Sequence, residues 1–323
     1  MSGLLAALRL DRIVRLQRTY SFAFAFALAL GLLVVTLERE VGGFGLSDQL
    51  ANFAPLAIIA MASTPSIIGG GGGLDISLSP LMTLTSVVFA AWLVPHGLGG
   101  AASVPILLGL AACVGLLNGL LIILLRIPPV VLTLAMYFVL IGVTAKILPA
   151  PTYLDSTWVS HLGGHVGPIP GAVFTLAAPI LVWIALGLVP YRRMLYAVGS
   201  NDATAFAAGI DVNVVRLIAY AVGGLFAGVG GFALTAVTLS ADSAQASTYT
   251  LVALAAVALG GTSLSGGRGG LVGPLLGAAA IYLLQDLLVT LQISTSWLQV
   301  VYGMALVVAV VLSGVVGRQA AVA

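Results

Sequence analysis

Of the chain's 323 residues, 60% are hydrophobic and only 7% charged, with a mean hydropathy of +1.18 and a formal net charge of +2. Soluble domains carry about a quarter charged residues, so this composition excludes a water-soluble globular domain. The small positive excess gives no basis for binding nucleic acid. In hydrocarbon every backbone polar group must be paired inside its own element, which leaves only helices or closed barrels. Apolar runs such as Ser21 to Leu37 lack the apolar–polar alternation of barrel strands. The expected fold is therefore all-α, a polytopic transmembrane helical bundle forming one domain over 1–323.

Arg9, Arg12, Arg15 and Arg18 precede the first apolar run, in the charge pattern of a signal peptide. That run, Tyr20 to Leu37, continues into Glu38, Arg39 and Glu40 with no clear small-residue cleavage site. It reads as a retained first span, with 1–19 in the cytoplasm. Further spans are expected at Ala51–Ile68, Leu78–Val94, Val104–Leu125, Pro129–Leu148, Ala172–Val189, Val214–Leu239, Thr248–Leu259, Leu271–Thr290 and Trp297–Leu312. That makes about ten, with both termini cytoplasmic. Arg126, Arg192, Arg193, Arg216, Arg268 and Arg318 then join the N-terminal four inside, leaving Arg39 and Lys146 outside, a strong positive-inside bias. The second, third and eighth runs are short or merge into glycine, so eight spans is the alternative count.

Two glycine-rich stretches interrupt the apolar pattern on the cytoplasmic side, Ile67 to Pro80 and Leu259 to Gly277. Unwound backbone at membrane depth has to line protein or water, and transporters place gates and substrate contacts at such breaks. This makes Gly72, Gly73, Asp75 and Ser77 in the first stretch, and Gly260, Gly261, Thr262 and Ser263 in the second, candidates for the translocation path. Asp75 has two readings: a functional ionisable group, or an N-cap for the third span. Asn118 and Asp286 could contact polar solute or bond between helices, and Arg126 could snorkel to the headgroups. Cys113, the only cysteine, allows no intrachain disulfide and is expected to be a small buried hydrophobe. Neither glycine stretch has the order of a phosphate-binding loop. Gly224 and Gly228, and Gly269, Gly273 and Gly277, recur at four-residue spacing, as close helix packing requires. That packing could lie within the chain or at a dimer seam.

The connection from 149 to 171 is expected outside, as a periplasmic loop whose prolines forbid a long regular helix. His161 and His165 are separated by Gly163 and Gly164 and lack a third ligand, so they read as surface histidines. The segment 191–213 is the polar island between the apolar halves. Asn201 or Asp202 can cap a short helix over Ala203 to Ala208, and Gly209 can end it in the left-handed conformation. Such a helix, showing Phe206 and alanines, could enter a partner's groove or lie flat on the membrane. Arg192, Arg193 and Arg216 are expected mainly to anchor its ends to headgroups.

GGLDIS at Gly72–Ser77, RIPPVVLTLAM at Arg126–Met136, AVGSNDATAFAAGIDV at Ala197–Val212 and GGTSLSGGRG at Gly260–Gly269 together resemble the ribose-type permeases of bacterial ABC importers. The four blocks fall in that family's order and span most of the chain. The resemblance implies a multi-pass subunit of the bacterial inner membrane that pairs with a second permease, cytoplasmic ABC ATPase subunits and an extracytoplasmic solute-binding protein. ATP and Mg would sit on the partner ATPase, and this chain would need no cofactor. It also implies that Gly199, Asn201, Ala207, Ala208, Gly209 and Ile210 belong to a coupling helix docked in the ATPase.

The sequence departs from that pattern in several places. Ile76 to Pro80 lose a usual glycine and gain a proline, Ile141 and Gly142 replace an arginine–glycine pair, Gln285 and Asp286 stand near a usual asparagine, and Phe206 replaces an arginine. The solute is accordingly less determined than the mechanism. The expected function is import of a small polar solute, a monosaccharide or polyol. A branched-chain amino acid permease is the alternative, and an ion-coupled secondary transporter is the different class. No paired aspartates, HExxH or GxSxG turn points to an enzyme.

Overall fold

The computed structural model describes residues 30–31, 34–35, 45–155, 158–292, 297, 300 and 303–304. The expected spans Tyr20–Leu37 and Trp297–Leu312, and the segment 1–19, lie largely or wholly outside the described residues. Helix α1 (Leu46–Ile68) is buried almost throughout from Ala54 onward. A helix apolar on every face belongs inside a bundle, and its polar residues fit there because they bond to their own backbone. Ser63 and Thr64 donate to the carbonyls of Ile59 and Ala60, each at 3.1 Å.

After the first glycine break come α2 (Leu78–Val88), which continues into a π-helical turn at Phe89–Leu93, then α3 (Ser103–Leu125) and α4 (Pro129–Ile147). Proline at the first position of α4 costs no hydrogen bond, because that N–H has no helical acceptor anyway. The connection between α4 and the next long helix holds a two-residue strand β1 (Thr152–Tyr153), a single turn α5 (Ser160–Gly163), and a hairpin of β2 (His165–Val166) with β3 (Ile169–Pro170). Helix α6 (Ala172–Leu188) is followed by α7 (Tyr191–Ser200), α8 (Asp202–Ala207) and the long α9 (Val212–Thr238). Strand β4 (Ser240–Ala241) pairs antiparallel with β1, closing the C-terminal end of α9 onto that connection. Helices α10 (Ala246–Leu259) and α11 (Val272–Thr290) flank the second glycine break.

The core forms where α9 packs on α1, α2 and α3, while α10 and α11 pack on each other and on α1. Small residues set the closest crossing. A side chain on Gly115 of α3 would overlap the Tyr220 carbonyl, and one on Gly224 of α9 would overlap the Ala111 carbonyl. The four-residue glycine spacing of α9 therefore serves packing inside the chain.

Among the described residues five helices, α1, α3, α4, α9 and α11, are long and apolar enough to cross a membrane, and α6 with α7 makes a sixth candidate bent by 88°. Helix α10 and the α2 segment are shorter apolar helices. Of these five, helices α3 and α4 are the least covered, with 28% and 17% of their most apolar stretches buried. Cys113 sits on this open side of α3 and is exposed, contrary to the burial expected from its apolar neighbours.

Candidate coupling and translocation site

The bend between α6 and α7 is fixed locally. Pro190 starts α7, and Arg192 folds back onto α6, donating to the Trp183 carbonyl at 3.2 Å with its guanidinium 5.5 Å from the indole. Tyr191, Leu195 and Val198 form the buried face of α7. The Tyr191 hydroxyl donates to the Val215 carbonyl at 3.0 Å, and burial raises its pKa, so it stays protonated. On the next turn the Tyr196 hydroxyl reaches the Gly269 carbonyl at 2.7 Å, fastening α7 to the second glycine break.

Helix α8 is built by local signals. The Asn201 side chain accepts the Thr204 N–H at 3.0 Å as N-cap. Gly209, at φ +82°, ends the helix in a Schellman arrangement, with Gly209 N–H on the Phe206 carbonyl and Ile210 N–H on the Ala205 carbonyl. Asp211 then caps α9, accepting from Asn213 and Val214. Only Ala205 of α8 is buried. Phe206 is 74% exposed, and Ala207, Ala208 and Gly209 beside it are also exposed.

The centre of the site is Gly199. A side chain there would overlap the Ile68 carbonyl at the end of α1 and come within 2.6 Å of the Gly267 nitrogen. A Cβ on Gly266 would lie 2.5 Å from the Gly70 Cα, and one on Gly70 would lie 3.0 Å from the Gly199 Cα. Gly267 N–H donates to the Ile68 carbonyl at 3.0 Å. Three backbone segments thus meet at van der Waals distance, with Gly70 (φ +70°) and Gly266 (φ +96°) supplying conformations that L side chains resist. Arg216 of α9 adds a polar strut. Its Nε donates to the Gly69 carbonyl at 3.2 Å, and its Nη2 reaches both Asp202 oxygens at 2.7 Å. Arg216 therefore binds the first glycine break and α8 together, a role beyond the headgroup anchor expected for it.

Asp75, Ser77 and Asn118 form one buried cluster. Asp75 Oδ1 accepts the Ser77 N–H at 2.9 Å and its hydroxyl at 2.6 Å, and Asn118 Nδ2 donates to Ser77 Oγ at 2.8 Å. Asp75 thus fixes the turn into α2 rather than capping the helix's own first turn. Thr133 of α4 holds the same loop, accepting from Ile76 N–H at 3.2 Å. Asp75 Oδ2, Asn118 Oδ1 and the Tyr220 hydroxyl are buried with no partner among the described residues. Beside them a cavity of about 470 Å³ opens between Gly70–Gly72, Arg126, Arg216 and Tyr220.

Gly73 is held against the Ser66 carbonyl, whereas Gly72 (φ +72°) has open space around it. In the second break, a side chain on Gly260 would overlap the Gly273 carbonyl, Gly261 has φ +75°, Thr262 is buried, and Ser263 N–H closes a turn onto the Arg268 carbonyl at 3.2 Å. The breaks meet on the flanks of the expected residues, through Gly70, Gly266 and Gly267. Sequence reasoning missed these three, together with Tyr196 and the strut role of Arg216. Within uniform glycine runs nothing local marks which glycine makes the contact.

The architecture defines a class: a polytopic helical membrane protein in which α7, continuing into the exposed α8, is packed directly against two glycine breaks. A family profile described as "Branched-chain amino acid transport system / permease component" matches residues 45–310. The chain is 35% identical over 277 residues to the ribose import permease protein of Bacillus subtilis (strain 168), covering 82% of this chain and 83% of the relative. It is 33% identical over 261 residues to the Escherichia coli (strain K12) ribose import permease protein, covering 79% and 80%. The fructose import permease protein of Rhizobium meliloti is 27% identical over 289 residues, covering 86% and 80%. No solved structure matches. The chain belongs to this permease family, and it is a transport subunit rather than an enzyme.

Proposed function

We propose that this chain is the membrane-spanning permease of a binding-protein-dependent ABC importer of the bacterial inner membrane, carrying a monosaccharide or related polyol. It crosses the membrane about ten times with both termini in the cytoplasm, as the distribution of arginines supports. Cytoplasmic ATPase subunits grip α8, a solute-binding protein delivers solute outside, and a second permease, identical or homologous, completes the path.

The observation that carries this reading is the nesting of Gly199 between Ile68 and Gly267, braced by Arg216 between Asp202 and Gly69. A load on α8 passes along the chain into α7 and through the Gly199 backbone contacts into both glycine breaks, with the Arg216 side chain as a second route to the first. Packed interfaces of this kind switch between discrete arrangements rather than deforming smoothly. Transport then needs two packings whose relative stability the ATPase changes by binding one of them better. The chain itself contributes no nucleophile, base or phosphate loop. The buried polar cluster of Asp75, Ser77 and Asn118 sits where the first break would move, and the adjoining cavity gives the solute an inner exit.

The test is reconstitution of the chain with its ATPase and binding protein in proteoliposomes. Uptake of labelled D-ribose or D-fructose that requires both ATP and the binding protein supports the reading. Uptake driven by an ion gradient without ATP contradicts it.

A further inference from the structure

A second cavity, of about 400 Å³, lies between α1, α10 and α11, at the opposite end of α1 from the inner one. Ser66 lines the inner cavity and Asn52 this one, so about 21 Å of helix separates them at ~1.5 Å per residue. The cavity is lined by Asn52, Thr248, Tyr249, Tyr282, Gln285 and Asp286. Leu56 and Val252 give it an apolar wall. Its size falls within the ~300–1,000 Å³ of small-molecule sites.

The polar groups there are positioned by one another. Gln49 donates from Nε2 to Asp286 Oδ2 at 3.1 Å and accepts at Oε1 from the Tyr282 hydroxyl. The Tyr282 ring is in turn held by Phe53, with centroids 5.7 Å apart. An ionisable group within a membrane helix is costly and points to function, and this one is bonded to the Gln49 amide in a cavity that amides and phenols line. Carboxylate and amide oxygens accept from hydroxyls, amide N–H groups donate to them, and tyrosine rings offer flat apolar faces. No Lys or Arg lines the cavity among the described residues, so a zwitterionic amino acid would bring a carboxylate with no cationic partner. Below the cavity α1 is closed, with Ile58, Ile59 and Met61 fully buried.

We infer that this cavity is a solute subsite on the extracytoplasmic side, receiving a neutral polyhydroxylated molecule before the inner path opens. The inference rests on the importer reading above, which sets the sidedness and the direction of transport. Asp286 and Gln285 are its principal hydroxyl partners, and Tyr249 its apolar face.

The test uses the complete reconstituted complex with labelled D-ribose and D-fructose. Thr248→Trp, at the exposed rim, fills the cavity and abolishes uptake while ATP hydrolysis stimulated by the binding protein persists. Asp286→Leu raises KM for uptake by about tenfold or more, whereas Asp286→Asn, which keeps an acceptor, stays within about twofold. If Asp286→Leu fails to fold, Thr248→Trp carries the test alone. Wild-type KM in both Thr248→Trp and Asp286→Leu overturns the inference and leaves the importer reading standing. Loss of stimulated hydrolysis together with uptake in Thr248→Trp also overturns it, because the face then serves assembly. A wild-type complex that takes up neither sugar overturns the importer reading, and this inference with it.

Discussion

Single residues around the two glycine breaks do separable jobs. Asp75 Oδ1 accepts both the backbone N–H and the hydroxyl of Ser77, so its removal strands two donors in a buried loop. Asp75→Ala should destabilise the solubilised protein by about 1–3 kcal/mol, the range for a buried group left unsatisfied. Asp75→Asn keeps an acceptor oxygen and should unfold close to wild type in the same thermal scan. Arg216 differs because it is partly in water. Its side chain is 22% exposed and that of Asp202 51%, so their ion pair contributes less than about 1 kcal/mol to stability. Arg216→Gln should therefore leave the melting temperature nearly unchanged while lowering uptake, since it removes the strut between α8 and Gly69.

At the scale of elements, α8 is six residues long, far too short to be stable as an isolated helix in water. It depends on its caps. Asn201→Ala removes the N-cap acceptor at a cost of about 1 kcal/mol, and should appear as faster amide exchange across 202–208 with the rest of the chain unaffected. Phe206 makes the complementary case, since its exposure means it contributes little to the fold of the chain itself. Phe206→Asp should insert normally and yet lose ATPase docking in co-purification. Unchanged co-purification would place the ATPase contact elsewhere. The neighbouring α7 is held by three independent ties, Arg192 to Trp183, Tyr191 to Val215 and Tyr196 to Gly269. It therefore moves with the bundle, and α8 moves with it.

Over the whole molecule, what was legible in the sequence followed from whether the signal was local. The cap at Asn201, the left-handed Gly209 and the short helix between them were readable because capping acts within a few residues. The interiors of α1, α3, α4, α9 and α11 were readable from apolar length. The meeting of Gly199 with Ile68 and Gly267 was not, because it joins segments far apart in the chain and any glycine in either run could have made it. The same holds for Gln49 and Asp286, separated by 237 positions, which the sequence presents as two unrelated polar residues. Cys113 misled for a related reason. Its neighbours are apolar because they face outward from a bundle made for lipid, so apolar surroundings in sequence did not imply burial.

In the importer proposed above, force applied at α8 would reach the glycine breaks through the backbone contact at Gly199. The direct measurement is uptake and ATP hydrolysis, side by side, in reconstituted complexes carrying Gly199→Ala, whose added methyl would overlap the Ile68 carbonyl. The account predicts normal insertion, a bound and hydrolysing ATPase, and uptake reduced by about tenfold or more, equivalent to ~1.4 kcal/mol in the transport barrier. Wild-type uptake coupled to hydrolysis in that variant would contradict it.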